Sequence, residues 1–296
     1  MSTPRPALRA LLLSLLFAGP LVSAQEPSPS QTPDQATPAK PEDPGPTPIA
    51  IVEPPQPFVG KWEDSFAQDQ VPPFRDWSPI RVHDTRSDAI EIKGGRLRLA
   101  LDTLQTKDET VKLRGVRSRR FFQVPQQGAP LRVTVTLDWN QQLNGSYLTL
   151  GFALLPAGAP LTSMPHRLSS ALAFEWVGVP PGKFARPFLW ERRSGGLRSL
   201  YTEGWPQPRR EDRKGRLRAT STITLEARRG QVRLFEGKKL LHEGPSGFAG
   251  PCRLLLFTTG HSNYPERSVS FHDVRVEAPP PRASESLPPQ PSGGSR

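Results

Sequence analysis

The sequence predicts an all-β protein: a two-sheet antiparallel β-sandwich of the jelly-roll kind, flanked by disordered Pro-rich segments. Three observations predict it. Apolar residues recur with period two along most of the chain, which is the strand signal. Turns built on Gly and Asn separate these runs at short intervals. No long amphipathic helical pattern interrupts them. Roughly a dozen short strands joined by hairpins must close into a barrel or stack as two sheets, and this many favour the stack.

The chain opens with a processing segment. Arg5 and Arg9 precede an apolar run at 10–17, and Val22-Ser23-Ala24 puts small residues at the spacing a signal peptidase reads. Residues 1–24 therefore read as a signal peptide, with Gln25 as the first mature residue. The apolar run is too short to span a bilayer and no second long one follows, so no transmembrane span is expected. Gln rather than Cys at the cut argues against a lipid anchor. The expected location is exported, either periplasmic or secreted.

Residues 25–57 hold 11 of the 36 prolines, and residues 278–296 hold 6. Both stretches are poor in aromatics and cannot bury enough apolar area to offset ordering entropy. They are expected to be a disordered linker and a disordered tail. Residues 58–277 form the folded domain, long enough for one sizeable core.

Within it the strands follow in order. Trp62, Phe66 and Trp77 mark an aromatic-rich start. Lys93-Gly94-Gly95 turns the chain into a strand in which Leu97, Leu99 and Leu101 share a face. Leu131, Val133, Val135, Leu137 and Trp139 share a face of the next strong strand, and Leu143-Asn144-Gly145-Ser146 reads as a hairpin turn. Leu148, Leu150, Phe152 and Leu154 follow, then Leu172, Phe174 and Trp176. A short helical turn is expected near Asp69 or within residues 162–170. Ile223 and Leu225 alternate with Thr222, Thr224 and Glu226. A hairpin turning at Glu236-Gly237-Lys238 follows. The last strand, residues 269–276, loses alternation at His272-Asp273, as a β-bulge requires.

Charge and cysteine content narrow the class. The formal net charge is +11, and Arg outnumbers Lys 30 to 9. The linker is acidic, so the folded domain carries the excess and favours anionic partners. A coding bias toward Arg explains the same count. Cys252 is the only cysteine, which excludes an internal disulfide framework, and its apolar strand makes it a buried structural thiol.

Gly95-Arg96-Leu97-Arg98-Leu99, Glu236-Gly237 and the closing strand at 269–276 resemble the concanavalin A-like lectin/glucanase superfamily. The resemblance covers most of residues 58–277. It implies a jelly roll whose middle strands line a concave, glycan-holding face, and it allows a structural calcium. Glucanases of this superfamily use a Glu-x-Asp-x-x-Glu strand that sets two carboxylates on one face. That strand is absent here. Glu175 has no partner acid beside it, Glu203 is isolated, and Asp108-Glu109 and Glu211-Asp212 are adjacent pairs that point to opposite faces of a strand.

The five histidines lack metal-ligand spacing, no acidic calcium loop is present, and no phosphate loop or nucleophile elbow occurs. No cofactor is expected beyond the calcium that the resemblance allows. Aromatic residues give the best functional hint, because sugars stack on rings flanked by polar groups. The candidate ligand-binding residues are Trp176, Trp190, Tyr201 and Trp205 with Glu175, Glu191 and Arg192. Core packing is the competing role for Trp176 and Trp190. A second candidate is a contact for an anionic surface, formed by Arg209, Arg210, Arg213, Lys214 and Arg216. A solvated loop explains that run equally. No nucleic-acid motif accompanies it.

The expectation is a non-catalytic, exported sandwich that binds polysaccharide or another anionic envelope polymer, and not an enzyme. Two alternatives stay open: a structural or protein-interaction module of the cell envelope with an unknown protein partner, and a glycan-active hydrolase or lyase with an unrecognised site.

Overall fold

Period-two patterning becomes sixteen strands in the computed structural model, which describes residues 56–83, 90–101, 111–138, 148–160, 162, 164–178, 185–202, 220–260 and 267–280. The expected signal peptide, most of the expected linker and tail, Trp205, Glu203, the 143–146 turn and the basic run from Arg209 to Arg216 lie outside the described residues.

The strands in order are β1 (Gly60–Asp64), β2 (Trp77–Val82), β3 (Ile90–Ile92) and β4 (Leu97–Leu101). β5 (Lys112–Ser118), β6 (Phe122–Val124), β7 (Leu131–Asp138) and β8 (Leu148–Pro156) follow. One turn of 3-10 helix at Pro165–Arg167 precedes β9 (Ala171–Gly178), within the stretch where a helical turn is expected. Then come β10 (Ala185–Arg193), β11 (Gly196–Thr202), β12 (Thr220–Arg228) and β13 (Gln231–Glu236). β14 (Lys239–Gly244), β15 (Gly250–Gly260) and β16 (Arg267–Ala278) close the domain. The strands beyond the expected dozen include three-residue pieces such as β3 and β6, too short to show a period.

Two eight-stranded antiparallel sheets result. The first runs β14-β13-β12-β7-β16-β4-β3, with β1 also on β16. The second runs β11-β10-β9-β8-β15-β5-β2, with β6 also on β15. In β16, Phe271 pairs with Leu137 and Asp273 with Thr136, so His272 is the extra residue of the expected bulge. Gly237 turns the β13–β14 hairpin at φ 57, a conformation that glycine adopts without a Cβ penalty.

The core lies between the sheets. Val133, Val135, Ile223, Leu225, Phe271 and Val274 face Leu150, Phe152, Leu172, Phe174, Leu254 and Leu256, all buried. Cys252 is buried in this core as a free thiol, and burial pushes its pKa well above the ordinary value. The second sheet is apolar on both faces. Its other face carries a separate buried cluster that includes Ile80, Leu113, Ala153, Ala173, Trp190, Leu255 and Phe257. That face positions the candidate site.

Candidate active site on the outer face of the second sheet

Alternation along β9 sends Leu172, Phe174 and Trp176 inward, and Ala171, Ala173 and Glu175 outward. Trp176 has no exposed surface, and its ring meets Phe174 edge-on with centroids 5.7 Å apart. Ala173 pairs with Trp190 on β10 and with Ala153 on β8. Glu175 pairs with Phe188 on one side and Gly151 on the other. Trp190 and Glu175 thus share the outer face.

The indole Nε1–H of Trp190 donates to Glu175 Oε1 at 2.9 Å. Glu175 keeps some solvent contact, but desolvation raises its pKa from 4.5 to about 7, and the Trp190 bond opposes part of that rise. Gly151 makes the crowding feasible. A Cβ there would sit 2.1 Å from the carbonyl oxygen of Phe174 and 3.1 Å from Glu175 Cγ. Further along the same face, the hydroxyls of Thr149 and Thr259 lie 2.6 Å apart.

The segment joining β8 to β9 folds back over one end of this face. Its Ala159, Met164 and Leu168 pack into the outer cluster. Arginines of the sheet hold it by its carbonyls. Arg192 Nε donates to Leu168 O at 3.3 Å, Arg253 Nε to Ala157 O at 3.2 Å, and Arg117 Nη1 to Ala159 O.

The sequence candidates therefore separate. Glu175, Trp190 and Arg192 share the outer face of the second sheet. Trp176 lies in the core, where it has no surface for a sugar to stack on. Glu191 lies on the opposite face from Glu175 and is fully buried. Its Oε1 accepts from Gly247 N at 2.7 Å and from Arg193 Nε at 2.8 Å. That carboxylate ties β10 to the segment before β15. Tyr201 is partly buried, with its ring 6.1 Å from that of His242. Gly151, Thr149 and the carbonyl-holding role of Arg192, Arg117 and Arg253 escaped sequence reasoning, because they depend on strand register.

A groove of about 400 Å³ lies on the outer face of the first sheet, where Glu226 is clamped between Arg132 and Arg233. Its ion pairs are mutually satisfied. Among the described residues, no group of His, Cys, Asp or Glu side chains could hold a metal ion.

No family model and no curated protein matches the chain by sequence. Solved structures do match by shape. A β-1,3-1,4-glucanase (lichenase) from a mouse hindgut metagenome superposes with a TM-score of 0.54 at 10% identity, covering 74% of this chain and 99% of that one. The Bacillus licheniformis β-glucanase gives 0.53 at 9% identity, with 74% and 98% covered. The catalytic domain of an endo-1,3-β-glucanase (laminarinase) from Thermotoga petrophila gives 0.51 at 12%, with 73% and 95% covered. The fold is the concanavalin A-like jelly roll.

These likenesses correct the expectation of a non-catalytic binder and the leaning away from an enzyme. The three solved structures named above are glucanases, so the hydrolase alternative becomes the better reading. Identity this low carries the fold alone. What the jelly roll does here must be argued from its own residues. On β9 the two outward positions preceding Glu175 are Ala171 and Ala173, so this strand offers one carboxyl where the glucanase strand offers two.

Proposed function

We propose that the protein is an exported glycan-active enzyme, a hydrolase or lyase of polysaccharide, with Glu175 as its proton-transferring group. One observation carries the reading. Among the described residues Glu175 is the lone carboxyl at the strand positions of the second sheet's outer face, and desolvation brings its pKa to about 7. A group poised there is populated in both protonation states near neutrality, which general acid–base work requires.

The geometry suits donation to a glycosidic oxygen. Trp190 holds Oε1 and leaves Oε2 without a protein partner among the described residues. When Oε2 gives up its proton to the leaving oxygen, the indole N–H stays on the new carboxylate and stabilises it. A mechanism with two carboxylates would take its second one from outside β9. The shape neighbours act on β-1,3- and mixed-linkage glucans by their names, and one was solved with laminaritriose and laminaritetraose. They support glycan as the substrate class.

The test is reducing-end release and unsaturated-product absorbance on a panel that includes laminarin and lichenan. Glu175→Gln should lower turnover by about 100-fold or more, in the range of general acid–base contributions. Unchanged turnover in Glu175→Gln removes that residue's assignment, and no turnover by the wild type across the panel removes the reading.

A further inference from the structure

The arginines of the two outer faces live in different electrostatic surroundings. On the first sheet most of them are neutralised; Arg228 is the exception, with its Nε donating to the neutral Gln231 Oε1. Arg96 pairs with Asp138 and Arg98 with Glu91. Arg132 and Arg233 share Glu226, and Arg275 reaches Glu63 and Asp273.

On the second sheet, register places Arg117, Arg186, Arg192 and Arg253 on the outer face, opposite Leu255, Val177, Ala171 and Leu155 respectively. None of the four makes an ion pair among the described residues. Three of them donate to backbone carbonyls of the covering segment. A carbonyl accepts a hydrogen bond but leaves the positive charge uncancelled. Arg117 shows the consequence, since burial and then the charge of Arg253 lower its pKa. Arg186 differs in donating to no carbonyl of the covering segment, and among the described residues its Nε, like that of Arg117, has no acceptor. The one carboxyl on these strand positions among the described residues, Glu175, is about half neutral near pH 7. A coding bias toward Arg would supply arginines to both faces alike. It does not explain why, among the described residues, one face pairs five of its arginines with carboxylates and the other pairs none.

We infer that the substrate of this face is an anionic glycan, a polysaccharide bearing carboxylate or sulfate groups, and that Arg186 contacts its charge. The inference rests on the proposed glycan-active reading and names its substrate class. Arg186 pairs with Val177, two residues beyond Glu175 on β9, which sets the two positions roughly 7 Å apart along the strand. Because Nε is shielded, a planar guanidinium here would meet a carboxylate or sulfate edge through its terminal N–H groups.

The experiment uses the full chain with two polymers of one backbone, laminarin and carboxymethylated β-1,3-glucan, at fixed ionic strength. Turnover and calorimetric binding are measured for wild type, Arg186→Gln, Glu175→Gln and Arg98→Gln. The last variant removes the same unit charge from the other sheet. The expected result is a preference for the carboxymethylated polymer that Arg186→Gln reduces about tenfold, the factor one charge-assisted contact supplies, and that Arg98→Gln leaves in place. Equal or better use of laminarin overturns the anionic inference, and Glu175-dependent turnover then leaves the enzyme reading standing. A preference lost equally in Arg98→Gln overturns the role of Arg186, because net charge alone would explain it. Arg186-dependent binding of the charged polymer without turnover supports the anion contact and removes the enzyme reading.

Discussion

Trp190 and Glu175 project from neighbouring strands onto one face of the second sheet, and the indole N–H of Trp190 donates to Glu175 Oε1 at 2.9 Å. The bond favours the charged carboxylate, while the surrounding protein disfavours it. Desolvation wins, and the pKa settles at about 7.

The first prediction follows from that balance. A carboxyl whose folded pKa lies above its unfolded value of 4.5 contributes stability that is fully present below pH 4.5 and lost as pH rises through about 7. The loss amounts to roughly 3 kcal/mol between those limits. Glu175→Gln keeps an acceptor for Trp190 and cannot ionise. The variant should lack this loss, so the stability difference should move in its favour by about that amount as pH rises across the window. Denaturant midpoints at pH 4.5, 6 and 8 measure this, and parallel pH curves for the two proteins would refute it.

Trp190→Phe tests the opposing contribution. The ring still fills most of the outer cluster, but the N–H is gone. With only desolvation left, the Glu175 pKa should move above 7, and an alkaline shift of its carboxyl titration by 13C NMR would show it. A downward shift would mean that water enters the space and solvates the carboxylate.

Gly151 is the residue that lets β8 approach β9 beside Glu175. A Cβ would overlap the carbonyl oxygen of Phe174 at 2.1 Å, and backbone cannot swing away as a flexible side chain does. Gly151→Ala should cost about 1–3 kcal/mol, the range for overpacked cores. Gly158, in the covering segment, has nothing within 4 Å of its Cβ position, so Gly158→Ala is the matched control and should leave the thermal midpoint unchanged.

Much of the fold was legible because its cause is local. Alternation placed Leu131, Val133, Val135 and Leu137 and then Leu150, Phe152 and Leu154 on inner faces, and the broken alternation at His272 marked a bulge that the structure contains. The site was less legible because its cause is register. Trp176 and Trp190 look alike in the sequence, yet one lies inward and the other outward. Which way each points depends on how β10 pairs with β9, and a slip of one residue would exchange the faces. The apolar outer face did leave a trace. Leu254-Leu255-Leu256-Phe257 is apolar without alternation, the signature of a strand buried on both sides.

Glu191 separates a structural carboxylate from a functional one. It is fully buried on the face opposite Glu175, where it accepts from Gly247 N and Arg193. Glu191→Ala should destabilise the fold by about 1–3 kcal/mol, because the Gly247 N–H loses its acceptor. At a temperature where the variant is folded, KM and kcat should match the wild type. A fall in kcat without a fall in thermal midpoint would move Glu191 into the active site.

The covering segment gives the last prediction. The described residues between β8 and β9 lie over the outer cluster through the buried Ala159 and Met164, the partly buried Leu168, and carbonyls held by Arg117, Arg192 and Arg253. Arg192 acts nearest the 3-10 turn, through Leu168 O. Arg192→Ala removes that tie but leaves Met164 in the cluster, so the segment should loosen locally rather than detach. Hydrogen exchange should speed up at Leu168 and Arg167, whose amides close the 3-10 turn onto Pro165 and Met164 carbonyls, while β9 and β10 keep their protection. Because Trp190 lies under the same cluster, water reaching it would also solvate Glu175 and lower its pKa from about 7. Unchanged exchange together with an unchanged titration would mean that apolar packing alone holds the segment, with the arginine tie contributing nothing.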